Sequence, residues 1–283
     1  MSDFLWFEGT PILPVFSTPE CLREIHDEFL MKDDDAVILT YPRSGTTWLI
    51  QIVCLIQNKG DPKFIQSVLP WELSPWIEID SLYSLIKNKK GLCLFTSHLP
   101  FQHFPKSFFS SKAKVIYLIR NPRDVLVSGY FFKNQTKFVK VSKSLEEYMG
   151  WFLDGNVMFG SWFEHTRAWV SMRERENFLL LSYEELKKDT RGTIEKICQF
   201  LGKNLEPEEL DSVLKHSSFE VMKESMPDYE RFPEEHVSKK VQFLRKGICG
   251  DWKNHFTTAQ AEAFDKIFQE KMKGFPPGLF PWE

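Results

Sequence analysis

Four short apolar runs punctuate the chain: AVILT at 36–40, LCLFTS at 92–97, KVIYLIR at 114–120 and NFLLLSYEEL at 177–186. Each is a near-continuous apolar block, the pattern of strands buried on both faces. The segments between them carry helix signals. A helix is expected from about Thr47. Pro122 and Asp124 suit the first turn of another, and Glu184 with Glu185 open one directly after the last apolar run. Strands alternating with helices predict a central parallel sheet covered by helices on both faces. Residues 1–35 read as an aromatic, Pro-marked start and then a helix ending in Lys32-Asp33-Asp34-Asp35, with the aspartates in a solvated turn. Beyond Lys187 the pattern is helical with acidic and Pro-marked breaks. No internal repeat and no low-complexity linker divides the chain, so residues 1–283 read as one α/β domain.

Composition sharpens this picture in three places. Aromatic residues make up 15% of the chain, with 26 Phe and 9 Trp, which implies a heavily aromatic core or a pocket for a flat apolar ligand. The net charge of −3 lacks the basic surplus of a nucleic-acid binder, but leaves room for a local site for one small anion. The five cysteines, Cys21, Cys54, Cys93, Cys198 and Cys249, form no C-x-x-C pair and read as reduced, mostly buried thiols. The N-terminus lacks a basic segment followed by an apolar one. The longest apolar run, 48–56, is too short to cross a bilayer. A cytosolic protein without a membrane partner is expected.

The stretch TYPRSGTTW, 40–48, lies between a buried strand and a helix. Ligands of open α/β sheets bind beyond the carboxyl ends of the strands. Gly45 permits a tight turn, Ser44, Thr46 and Thr47 supply hydroxyls, and Arg43 adds a cation beside the positive end of the helix dipole. Taken alone, the loop also fits a Pro-Gly turn with a Ser/Thr cap. It lacks the lysine of a G-x-x-x-x-G-K-[ST] loop, so a phosphate without a metal fits it better than a magnesium triphosphate. A nucleotide kinase, the first rival, would need that lysine and magnesium.

With two further stretches, RNPRDVLVSGYFF at 120–132 and RKGICGDWKNHFT at 245–257, the chain resembles the cytosolic sulfotransferase family. FLWFEG near the N-terminus, TSHLP at 96–100 and the C-terminal LFPWE resemble its hydroxysteroid (alcohol and bile acid) subfamily. The resemblance implies the donor 3′-phosphoadenosine 5′-phosphosulfate (PAPS), no metal, and a steroid, bile acid or related alcohol as acceptor. It places Arg43, Ser44, Gly45, Thr46 and Thr47 at the 5′-phosphosulfate. Arg120, Ser128, Arg245, Lys246 and Gly247 fall at the 3′-phosphate, where arginine forks suit a terminal dianion. Trp48 and Tyr183 fall at the adenine, with Ser217, Phe219 and Met222 near it. Read without the family, Arg245-Lys246 is an exposed basic patch, and Arg123-Asp124 is an ion pair at a helix start.

Sulfuryl transfer needs the acceptor proton removed and the leaving phosphate oxygen stabilised. His98, at the end of the second predicted strand, is the expected general base, since imidazole titrates near working pH. His26, His103, His165, His216, His236 and His255 read as structural or surface residues. Arg43 stands where the family normally has lysine. It keeps the charge but is larger and planar and cannot donate a proton. A low-activity or non-catalytic binder of steroids and adenine nucleotides is therefore the second rival.

Phe16, Trp71, Trp76, Phe132 and Tyr229 are the expected acceptor-pocket residues; Trp71 and Trp76 sit in a Pro-punctuated stretch. Lys133 follows YFF, where subfamily relatives tend to carry tryptophan, and a cation there would favour an acidic acceptor such as a bile acid. Residues 253–262 resemble the family's dimer motif, keeping Lys253, Thr257 and Glu262 but with Thr258 for the usual valine. A homodimer through this segment is expected.

Overall fold

A computed structural model describes residues 4–91, 93–137, 141–225 and 244–282. The strands β1 (Leu5–Phe7) and β2 (Thr10–Ile12) form a small antiparallel hairpin. The main sheet contains β3 (Ala36–Thr40), β4 (Leu94–Ser97), β5 (Lys114–Ile119) and β6 (Phe178–Ser182) in the order β4-β3-β5-β6, all parallel. These are the four predicted strands: β3 matches its run, β4 starts two residues later, β5 ends one residue earlier, and β6 is shorter at both ends.

Alternation along each strand divides the core in two. Val37, Leu39, Phe95, Val115 and Tyr117 face one cluster, which also takes Trp162, Trp169, Phe104 and Phe108. Ala36, Ile38, Leu94, Ile116 and Leu118 face the other, an aliphatic cluster built with Leu49, Ile52, Val53, Ile194, Ile197 and Val213. Helix Thr46–Gln57 is buried along nearly its whole length in the aliphatic layer. Helices Pro19–Glu28, Trp162–Val170 and Thr258–Lys271 bury Ile25, Trp169 and Phe264 in the aromatic layer. Most of the aromatic excess is thus core of one face.

The first helix stops at Glu28, short of the aspartates. Asp33 and Asp34 are exposed, but Asp35 is not in a solvated turn: it is buried, and its carboxylate accepts from the backbone N–H groups of Lys32 and Cys93 at 2.9 and 3.0 Å. Those amides lie at the entrances of β3 and β4, where a carboxylate satisfies donors that the ladder cannot. Strand β3 pairs with β4 on one side and β5 on the other, so connections leave it in both directions. That makes its carboxyl end the point where a parallel sheet opens a crevice.

Candidate active site

The loop after β3 is built around two left-handed residues, Arg43 at φ 69° and Gly45 at φ 107°. A Cβ on Gly45 would meet the Tyr183 ring at 2.7 Å and Leu118 at 3.2 Å, so both conformation and packing demand glycine. Gly45 is also the N-cap of helix Thr46–Gln57, and no side chain caps that end. A Ser/Thr-capped turn is therefore not what the loop forms. Ser44 Oγ is buried with no hydrogen-bond partner among the described residues. An uncapped helix start beside an orphaned hydroxyl is a ready place for an anion.

A cavity of about 260 Å³ opens at this loop. Its walls include residues just past four strand ends: Tyr41 after β3, His98 after β4, Arg120 after β5 and Tyr183 after β6. Its cations are Arg43, Arg120, Lys133, Lys187, Arg245 and Lys246, and no Asp or Glu is among the described lining residues. The remainder is largely apolar, including Leu13, Trp76, Phe132, Phe152, Val157 and Met158.

Arg120 holds two loops together. Its guanidinium donates to the Arg43 carbonyl at 3.1 Å and to the Ile248 carbonyl at 3.2 Å, and lies 4.3 Å from the Tyr183 ring centre. Segment 244–250 is pinned from below by Asp124, which accepts from Gly250 N at 2.7 Å and Trp252 N at 3.0 Å. The adjacent Arg123 pairs with Asp265 and packs over Trp252 and Phe264. The expected Arg123-Asp124 pair is thus replaced by two separate anchors for the C-terminal segment, because the two side chains diverge on consecutive positions of the helix Pro122–Lys133. Asp251, also buried, takes Arg245 and Lys246 at 2.7 Å each. Burial pushes its carboxyl up, but hydrogen bonds from Lys246, Asn254 and Arg245 outweigh this and hold it well below the usual carboxylate range. The Arg245-Lys246 pair is therefore an aimed pair of cations and not a loose basic patch.

His98 ends β4 against Trp76 and Phe159. Its Nδ1 lies 2.8 Å from the Thr40 carbonyl, which only an N–H can approach so closely, so Nε2 carries the lone pair. Burial pushes the imidazole down to about 4, against the Thr40 hydrogen bond and with Arg43 adding to the fall. Near neutral pH the ring is an uncharged proton acceptor. Glu78 accepts from the His98 backbone N–H at 2.7 Å, and burial pushes its carboxyl up to about 7. Arg43 donates through Nε to Ser128 Oγ at 3.2 Å and stacks 4.5 Å from the Phe132 ring centre.

A family profile described as the sulfotransferase domain matches residues 33–276. This chain belongs to the sulfotransferase family. It is 63% identical over 284 residues to Sulfotransferase 2A1 of Mus musculus, covering 100% of each chain. It is 62% identical over 285 residues to the 3-beta-hydroxysteroid sulfotransferase of Cavia porcellus, covering 100% of this chain and 99% of that one. Among solved structures it resembles mouse sulfotransferase SULT7A1 complexed with PAP, with a TM-score of 0.82 and 29% identity over 96% of this chain and 95% of that one.

Of the residues singled out for the donor, Arg43, Gly45, Thr46, Thr47, Trp48, Arg120, Ser128, Tyr183, Met222, Arg245, Lys246 and Gly247 line the one cavity, as does Phe219. Ser44 and Ser217 are not among the lining residues, and each has a buried hydroxyl without a partner among the described residues; the Ser217 carbonyl accepts from Trp48 Nε1 at 2.8 Å. Of the expected acceptor-pocket residues, Trp76 and Phe132 line the same cavity, whereas Phe16 and Trp71 are not among the lining residues. Trp71 sits in the short helix Pro70–Leu73. Tyr229 and His236 lie outside the described residues. Sequence reasoning missed Tyr148, Lys187, Asp124, Asp251 and Glu78. Asp124 and Asp251 each lie inside a matched segment, 120–132 and 245–257, which was the available signal; Tyr148, Lys187 and Glu78 carried none.

Proposed function

We propose that this chain transfers the sulfuryl group of PAPS to a hydroxyl of a steroid, bile acid or related alcohol. The observation that carries the proposal is one cavity whose walls combine six cations, a largely apolar remainder and a neutral histidine. The named relatives are hydroxysteroid and 2A sulfotransferases, and the solved neighbour was complexed with PAP. The donor fits the residues present: two anion-binding regions, an uncapped helix start and the orphaned Ser44 and Ser217 hydroxyls.

When bound, the donor supplies an activated sulfuryl group on a phosphate leaving group. The chain's residues do the rest. His98 Nε2 takes the proton as the acceptor oxygen bonds to sulfur and the bond from sulfur to the bridging oxygen breaks. Arg43 and the amides opening helix Thr46–Gln57 stabilise the charge left on the phosphate. Arg120, Ser128, Arg245, Lys246 and Gly247 hold the 3′-phosphate, and Trp48 and Tyr183 flank the adenine. Trp76, Phe132, Phe152 and Met158 exclude water from the acceptor side.

Lys133 favours an acidic acceptor. Its ammonium lies 3.9 Å from the Trp151 ring centre and 5.6 Å from that of Tyr148, which fixes a cation at the cavity wall. The second reading, a binder with little turnover, draws on the Arg43 stack over Phe132, which holds the cation on the acceptor side. A cytosolic location and a homodimer through 253–262 belong to the same proposal; among the described residues no helix is long and apolar enough to cross a membrane, and Lys253, Thr258 and Glu262 are exposed.

The test is transfer of labelled sulfate from PAPS to hydroxysteroids and bile acids by wild type, Arg43→Lys and His98→Ala. Turnover by wild type, lost in His98→Ala, supports the enzyme. A silent wild type that binds the donor, with activity restored by Arg43→Lys, supports the binder.

A further inference from the structure

Behind the catalytic wall, three side chains form a continuous hydrogen-bonded line. Thr40 Oγ1 lies 3.1 Å from His98 Nδ1 and 2.7 Å from Thr46 Oγ1. Thr40 is fully buried at the end of β3, and Thr46 lines the cavity at the start of the donor-loop helix. The Thr40 carbonyl takes the Nδ1 proton at 2.8 Å, so that nitrogen is a donor. Thr40 Oγ1 can then only accept from it, and either hydroxyl can donate across the Thr40–Thr46 contact. With an anion beside Thr46, the arrangement in which Thr40 donates to Thr46 Oγ1 frees the Thr46 hydrogen for that anion, and all three donors then run from His98 toward the place of the leaving phosphate.

We infer that Thr40 is a positioning residue that couples charge on the leaving phosphate to the basicity of His98. The inference rests on His98 acting as the base. As the bond from sulfur to the bridging oxygen breaks, negative charge grows at the far end of the line. Hydrogen bonds in series polarise one another, so the Thr40 oxygen becomes a better acceptor for Nδ1–H. That stabilises the imidazolium at the moment Nε2 takes the acceptor proton. No proton travels along the line; each hydroxyl keeps its own hydrogen. The other charged or titratable groups acting on this ring are Arg43, the Glu78 carboxylate on the backbone N–H, and His165 behind it. Arg43 is itself on the donor loop but acts on the ring through its charge, whereas Thr40 reaches the ring through a hydrogen bond.

The test compares wild type, Thr40→Val, Thr40→Ser and His98→Ala in single turnovers with PAPS prebound, across pH 3 to 8. Valine keeps the shape and the backbone carbonyl and removes only the hydroxyl. We expect the transfer rate of Thr40→Val to fall by at least about tenfold, a share of the roughly 10²–10⁴-fold that general-base catalysis contributes. The acid limb of its rate profile moves to lower pH, its affinity for adenosine 3′,5′-bisphosphate stays within about threefold, and Thr40→Ser recovers most of the rate. A Thr40→Val rate within twofold of wild type overturns the inference. So does a slower rate with an unmoved acid limb and no recovery in Thr40→Ser, since that is a packing defect. Turnover retained by His98→Ala removes His98 as base and this inference with it, whereas a silent His98→Ala beside a normal Thr40→Val removes the coupling alone.

Discussion

Gly247 offers a sharp test of where the second phosphate sits. Its φ is 66°, and a Cβ placed there would lie 2.3 Å from Phe219 Cδ2 and 2.7 Å from Cε2. Non-bonded carbons rest at roughly 3.5 Å or beyond, so Gly247→Ala forces a separation of roughly 1.2 Å between segment 244–250 and the Phe219 ring. Left-handed backbone at alanine adds about 1 kcal/mol of strain. Loss of a charge-assisted hydrogen bond to the phosphate costs about 1.5–3 kcal/mol, and about 2.7 kcal/mol corresponds to roughly 100-fold in affinity. The assay is calorimetric titration of wild type and Gly247→Ala with adenosine 3′,5′-bisphosphate and with adenosine 5′-monophosphate. The bisphosphate should lose about 100-fold in affinity and the monophosphate much less. Phe219→Ala added to Gly247→Ala removes the clashing ring and should return part of the loss. Bisphosphate binding within twofold of wild type, or equal losses for both ligands, would refute the placement of this loop at the 3′-phosphate.

Asp124→Ala removes two charge-assisted acceptors at the base of the same segment. At about 1.5–3 kcal/mol each, with about 2–4 °C per kcal/mol in a chain of this size, the melting temperature should drop by roughly 6 °C or more, and a calorimetric scan checks it. Stability should respond to acid in two opposed ways. His98 and His103 are held at about 4, and His165 at about 3, mainly by burial. From there up to the ordinary histidine range the unfolded chain binds more protons, so these groups make stability rise with pH. Burial holds Glu78 and Glu184 up at about 7, so the folded chain binds the extra protons between about 4.5 and 7 and stability falls with rising pH across that window. Glu78→Gln should therefore gain melting temperature relative to wild type at pH 8 and not at pH 4.5; equal differences at both would remove the raised carboxyl. Lys133→Trp should shift preference from a bile acid toward a neutral steroid by about tenfold in kcat/KM, and an unchanged ratio would refute the acidic acceptor.

The strands were legible because each is a continuous apolar block buried on both faces, a signal local to a few residues. The donor loop was legible for the same reason: its glycine, hydroxyls and cation are contiguous between Thr40 and Trp48. What supports it was not. Asp124 grips amides at Gly250 and Trp252, more than a hundred residues on, and nothing beside it in sequence distinguishes that role from an ion pair with Arg123. Asp35 looks like its neighbours Asp33 and Asp34, yet it alone is turned inward to cap two strand entrances. Trp71 and Trp76 share one Pro-marked stretch. Only Trp76 bridges to Thr96 on β4 and thereby reaches His98. Side-chain partners across the chain, and not residue types, decide these positions.

The pairing order of the sheet also bears on synthesis. The strand that carries the donor loop, β3, finds its two partners only downstream, β4 from Leu94 and β5 ending at Ile119. A nascent chain must therefore hold an apolar strand with both edges bare until β4 is complete at Ser97, and one edge bare until β5 is complete at Ile119. Such edges are templates for wrong pairing, and non-local parallel contacts form late. The ribosome-bound intermediate thus carries an aggregation liability, and slower elongation just beyond Ile119 would give β3 time to close both edges.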